Sequence, residues 1–140
     1  MKWLVDANVL SEPTRPAPVE RVVQWLRRHQ SDLVVDPIIL GEIRIGILLL
    51  AGGRRRQQLE QWFTQGVARI RCLPWDATAG LRWAELVAEL RRSGQAMLVK
   101  DSMIAATALT HGLVVATRNV ADFRKAGVKV IDPFVVTGKS

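Results

Sequence analysis

Residues 3–12, WLVDANVLSE, decide how this chain is read. Trp3-Leu4-Val5 has the aliphatic character of a short buried strand, and Asp6 follows it directly. An acid in that position emerges at the C-terminal edge of a sheet, where open α/β folds gather their chemistry. An Asp after a strand also serves as a turn or cap residue, so Asp6 needs company before it means more.

Working outward, runs of the same kind recur at 32–35, 69–73, 113–117 and 128–131, and together with 2–5 they predict five strands. All are rich in Val, Ile and Leu with little alternation, the pattern of strands buried on both faces. Helical stretches lie between them. VERVVQWLRRHQ (19–30) sets Val19, Val22, Val23 and Leu26 on one side, with Pro16 and Pro18 limiting its start. A second helix is expected from Pro37 through Leu50, stopped by Gly52-Gly53, and a third over 54–68 with Leu59, Trp62 and Phe63 inward. Asp76 reads as the N-cap of 77–93, whose apolar face is Leu81, Ala84, Leu86, Val87 and Leu90. Asp101 opens a helix over 102–111 that ends at Gly112 and feeds the strand LVVAT. This alternation predicts a three-layer α/β/α sandwich around a mostly parallel sheet, one domain over 1–140.

Composition narrows the function classes. With 49% apolar residues in 140, the chain has material for a real core. The single cysteine, Cys72, excludes an internal disulfide and fits a reducing, cytoplasmic setting, and His29 and His111 stand too far apart for a zinc cluster. The apolar runs are too short to cross a membrane. A first turn without glycines argues against dinucleotide binding, and Val5, Ala7 and Asn8 leave Asp6 without the second acid of a phosphoacceptor domain. The formal charge of +7 favours a polyanionic partner such as nucleic acid, although arginines on solvated helix faces account for much of it. Trp3, Trp25, Trp62, Trp75 and Trp83 follow apolar faces and read as core or interface.

Three further acids share the context of Asp6: Glu42 in ILGEIRIG, Asp101 in VKDSMIAATAL and Asp122 in TRNVADF. Acids held in apolar surroundings in a basic chain call for a cation, and a divalent metal with oxygen ligands is the simplest. Asp6 and Thr117 both end apolar strands and so emerge at the same sheet edge, with Asp122 shortly beyond Thr117.

DANVLSE, GEIRIG, DSMIAATAL and TRNVADF, in this order, resemble the signature blocks of the PIN-domain family, especially the VapC-like toxins of toxin–antitoxin modules and their FitB-like relatives. The terminal KVIDPF resembles the family's usual ending. The resemblance implies a Mg²⁺- or Mn²⁺-dependent endoribonuclease, a homodimer, held in check by a cognate VapB-like antitoxin in a hetero-oligomer. By position, Asp6, Glu42 and Asp101 match the family's acidic triad, with Asp6 and Asp101 as metal ligands and Asp122 as a fourth, more variable acid. Asn8, Thr117 and Asn119 match polar residues that support the site. Two positions depart from the pattern: Ala7 stands where relatives commonly have Thr, and Val99 where they often carry another acid. The alternative is a nucleic-acid-binding regulatory partner, FitB-like, that acts with a DNA-binding antitoxin and has little or no catalysis. Dimerisation is expected through helices near 37–68, which carry Leu48, Leu49, Leu50 and Trp62.

Overall fold

The computed structural model describes residues 2–135; Met1 and residues 136–140, the ends of the expected 1–140 unit, lie outside the described residues. Five strands, β1 (Trp3–Val5), β2 (Leu33–Val35), β3 (Arg71–Cys72), β4 (Val114–Ala116) and β5 (Val130–Ile131), form one sheet in the order β3-β2-β1-β4-β5. Every pairing is parallel, with Leu4 opposite Val34 on one side and Val115 on the other. The helices are α1 (Ala7–Leu10), α2 (Glu20–Arg28), α3 (Pro37–Leu48), α4 (Arg54–Gln65), α5 (Ala77–Arg92), α6 (Val99–His111) and α7 (Val120–Lys125). From β1 the chain steps outward to β2 and β3, then returns past β1 to β4 and β5. Right-handed crossovers in opposite directions put the two sets of helices on opposite faces, the expected α/β/α sandwich.

The core is centred on the three inner strands. Leu4, Val5, Val34, Val35, Val115 and Ala116 are buried and pack with Val9, Ile39, Ile104 and Phe123 from the flanking helices. On α3 the inward residues Ile39, Ile43 and Ile47 recur every fourth position, one stripe of the helix. Helix α6 is sunk deeper, with Ile104, Ala105, Ala106 and Ala108 all buried, and small side chains let it approach the sheet closely. It ends where Gly112 turns left-handed at φ 64, a conformation that costs glycine nothing.

Several expectations are corrected. The third strand is only two residues long and exposed, because β3 lies at the sheet edge and gains no second neighbour to cover it. Leu81 is 70% exposed; α5 turns Ala79, Leu86 and Leu90 inward instead, so a leucine on the helix flank does not mark the core. Val19 is also exposed and serves as the N-cap residue of α2, which starts one residue later. Helix α4 stops at Gln65, where Gly66 leads into a 3₁₀ turn over Val67–Arg69. Asp101 does not open its helix: α6 begins at Val99, and Asp101 is the third residue of its first turn.

An ion-like bond ties the elements that carry the acids. Asp36 follows β2, is fully buried and caps α3, its Oδ1 accepting the Ile39 N–H at 2.9 Å. Its Oδ2 accepts the Thr107 hydroxyl of α6 at 2.7 Å. Burial pushes the Asp36 carboxyl above its usual range, and the bonds from Thr107 and Ile39 pull against that shift. Replacing Thr107 by Val keeps the shape and leaves Asp36 Oδ2 without its donor. We expect Thr107→Val to lower stability by about 1–3 kcal/mol. Urea unfolding should show a lower midpoint at unchanged m-value, and an unmoved midpoint would deny the bond any weight.

Candidate active site

Sheet order creates the site. The chain's direction of travel across the sheet reverses between β1 and β4, and the crevice beyond the C-terminal ends of those strands is where α/β sheets bind ligands. Asp6 leaves β1 there, buried, and its own N–H donates to the Ala116 carbonyl of β4 at 2.9 Å. Its Oδ1 accepts the Ala7 N–H at 2.8 Å, which makes Asp6 the N-cap of α1. Its Oδ2 accepts the Thr117 hydroxyl at 2.7 Å, with the Asn8 amide nitrogen farther off at 3.5 Å. Thr117 Oγ1 in turn accepts the Asn119 N–H at 3.0 Å, and Asn8 Oδ1 accepts the Arg118 N–H at 3.1 Å. The loop after β4 is thereby laced to the loop after β1. Asn119 contributes its backbone here rather than its side chain, which makes no capping bond to α7.

Glu42 and Asp101 come from α3 and α6. Glu42 precedes Ile43 on the flank of the buried stripe, so the core fixes where its carboxylate lies. One of its oxygens, Oε2, accepts a hydrogen bond from Lys100 Nζ at 2.6 Å. Asp101 is buried in the first turn of α6, where the helix dipole favours negative charge. Two tryptophans pin that turn: Trp83 Nε1 donates to Ser102 Oγ at 2.9 Å and Trp75 Nε1 to the Met103 carbonyl at 3.2 Å. Asp122 stands at the rim on α7, half exposed and paired with Lys125 at 3.4 Å.

The acids feel one another. Burial raises the Asp6 carboxyl above its ordinary value; the Thr117 hydroxyl opposes the rise, Glu42 adds to it, and the Ala7 N–H and Lys100 pull down. Asp101 is pushed up to about 6, first by burial and then by the charge on Asp6, with Lys100 opposing and Glu42 and Asp122 adding. Asp6, Glu42, Asp101 and Asp122 thus share one electrostatic environment. Two buried oxygens, Glu42 Oε1 and Asp101 Oδ2, have no hydrogen-bond partner. Among the described residues no three His, Cys, Asp or Glu side chains already stand as a closed metal cage. The donor set is nonetheless all oxygen, and the two orphaned atoms suit a hard cation such as Mg²⁺ or Mn²⁺.

Sequence reasoning passed over three participants. Asp36 was announced by Asp36-Pro37, a capping acid before a first-turn proline. Glu12 is buried and its Oε2 accepts the Val19 N–H at 2.8 Å, holding the α1–α2 connection; its place inside DANVLSE was the only hint. Lys100 carried a subtler signal, a cation in the first turn of a helix. Of the two departures, Ala7 supplies the N–H that Asp6 needs whatever its side chain, and Val99 is exposed.

The raised Asp101 value has a testable consequence. A carboxyl lifted in the folded state contributes stability that is complete below the ordinary aspartate range and is lost as pH rises through about 6. Near neutral pH, metal-free Asp101→Asn should therefore melt above the native chain, and the gap should close as pH falls towards about 4. Calorimetric melts of both across that range check it; a gap independent of pH would mean Asp101 does not carry the charge.

A model of the PIN domain matches residues 3–129. The chain is 36% identical over 135 residues to the toxin FitB of Neisseria gonorrhoeae, an alignment covering 94% of this chain and 97% of that one. It is 34% identical over 136 residues to a VapC ribonuclease of Sinorhizobium fredii, covering 94% and 96%. Among solved structures, a FitAB complex bound to a DNA fragment superposes with a TM-score of 0.91 at 34% identity, covering 99% of both chains. With a matching domain model across nearly the whole chain, relatives aligned end to end, and the sheet, switch point and acidic edge in place, the protein belongs to the PIN-domain family.

Proposed function

We propose that this chain, as a single unit over 1–140, is the toxin ribonuclease of a toxin–antitoxin pair, acting in the cytoplasm. The observation that carries the reading is the group Asp6, Glu42 and Asp101, its two aspartates buried and two of its carboxylate oxygens unpartnered, in a chain similar to proteins named toxin FitB and VapC ribonuclease. Among the described residues no helix is long and apolar enough to cross a membrane. A bound Mg²⁺ or Mn²⁺ supplies a lowered pKa for water and stabilises charge on phosphate oxygens. Asp6 and Asp101 would hold it. Glu42 Oε1, without a hydrogen-bond partner, would add a third carboxylate oxygen to that set, and Asp122 adds negative charge at the rim. Thr117 and Asn8 aim the Asp6 carboxylate, while the chain's net positive charge attracts RNA.

The partners are an antitoxin of the VapB type and a second copy of this chain. Likeness to FitAB on DNA favours a complex in which the antitoxin brings the toxin to DNA, and it keeps alive a purely regulatory role with little catalysis. Ile45 and Leu48, exposed on α3, and Leu49, which caps its C-terminus, offer the apolar patch for the homodimer.

Catalysis separates the two roles. Purified free of any partner, the chain should cleave RNA in Mn²⁺, and Asp6→Asn, Glu42→Gln and Asp101→Asn should each lower the rate by roughly a hundredfold or more, double variants costing little beyond single ones. Folded Asp101→Asn with full activity would sink the assignment. Mn²⁺ should raise the melting temperature near neutral pH and do so much less at about pH 5, where the carboxylates of the site take up protons. An equal rise at both values, or one untouched by Asp6→Asn, would place the cation elsewhere.

A further inference from the structure

Lys100 occupies a position that helix stability does not explain. It is the second residue of α6, where the exposed N–H groups and the dipole favour an acid and disfavour a cation. Its side chain crosses to another helix, and Nζ lies 2.6 Å from Glu42 Oε2. Yet it satisfies only one oxygen of Glu42, and buried Asp101 Oδ2 remains unpartnered. The ammonium therefore gives the acidic centre a positive charge without filling it.

Resting on the proposed metal site, we infer that Lys100 is a tethered counter-ion that competes with the divalent cation for Glu42 and sets how tightly the metal binds. A cation entering the centre must either displace Nζ from Oε2 or tolerate a positive charge beside it, and both weaken binding. The Lys100 side chain is 52% exposed, so it can swing into solvent when displaced without disturbing the core. Lys100 is thus a positioning residue: it acts on the reaction through Glu42 and the metal, not by touching RNA.

Lys100→Met keeps the stem and removes the charge. Calorimetric titration of the full chain with Mn²⁺ should show a dissociation constant about tenfold lower in this variant. The metal-free variant should melt below the native chain, because Asp6, Glu42 and Asp101 have lost their internal cation, and its Mn²⁺-induced rise in melting temperature should be larger. Lys100→Arg, which retains a cation, should behave as the native chain does. Unchanged or weaker Mn²⁺ binding by Lys100→Met overturns the inference, and cleavage lost at unchanged Mn²⁺ affinity would instead assign the ammonium to the RNA phosphate. Asp101→Asn, titrated in parallel, separates the two levels: if it binds Mn²⁺ as the native chain does, the metal-site reading itself fails, whereas binding lost there but unaltered in Lys100→Met defeats the counter-ion alone.

Discussion

The bond from the Thr117 hydroxyl to Asp6 Oδ2 joins the ends of the two strands between which the chain reverses its course across the sheet. Without the parallel pairing of β1 and β4, Asp6 and Thr117 would be 111 residues apart with no reason to meet. Pairing puts them in register, and the bond then draws together the loops that carry Asn8 and Asn119. The remaining acids arrive by a separate route, on helices fixed by the core and tied to each other through Asp36 and Thr107. Strand pairing thus sets one side of the acidic edge and helix packing sets the other.

Two buried aspartates differ in how fully the structure satisfies them. Asp36 and Asp101 both have carboxyls raised by burial. At Asp36 both oxygens are satisfied, one by a backbone N–H and the other by a hydroxyl. Asp101 keeps an oxygen without a partner, beside other acids that raise it further. Packing alone would select against such an atom, because an unsatisfied buried acceptor destabilises the fold. It is on this unsatisfied atom that the proposed metal site rests.

Much of this was legible beforehand, for identifiable reasons. Continuous apolar runs located the five strands; two-sided burial accounts for that at β1, β2 and β4 but not at the edge strands β3 and β5, and Asp76 caps its helix as its context indicates. The C-terminal placement of Asp6 and Thr117 followed from strand direction alone. Boundaries were harder. The start of α6 at Val99 carries no side-chain cap, so the sequence offers instead Asp101, the nearest residue of a capping type. Leu81 was assigned inward because periodicity marks a stripe but does not say where its edge falls. Lys100 and Glu42 are 58 residues apart, and a partnership of that kind exists only once two helices have packed.

The outer strands of the sheet have a consequence of their own. β3 and β5 are each two residues long; β3 carries Arg71, and Asp132 and Pro133 follow β5 directly. Short edges bearing charge or ended by proline offer little backbone for a foreign strand to zip onto. The sheet is therefore closed to extension, and templated fibre growth from its margins is disfavoured even when the chain stands alone. Whatever larger architecture the molecule enters must be mortared through its helices.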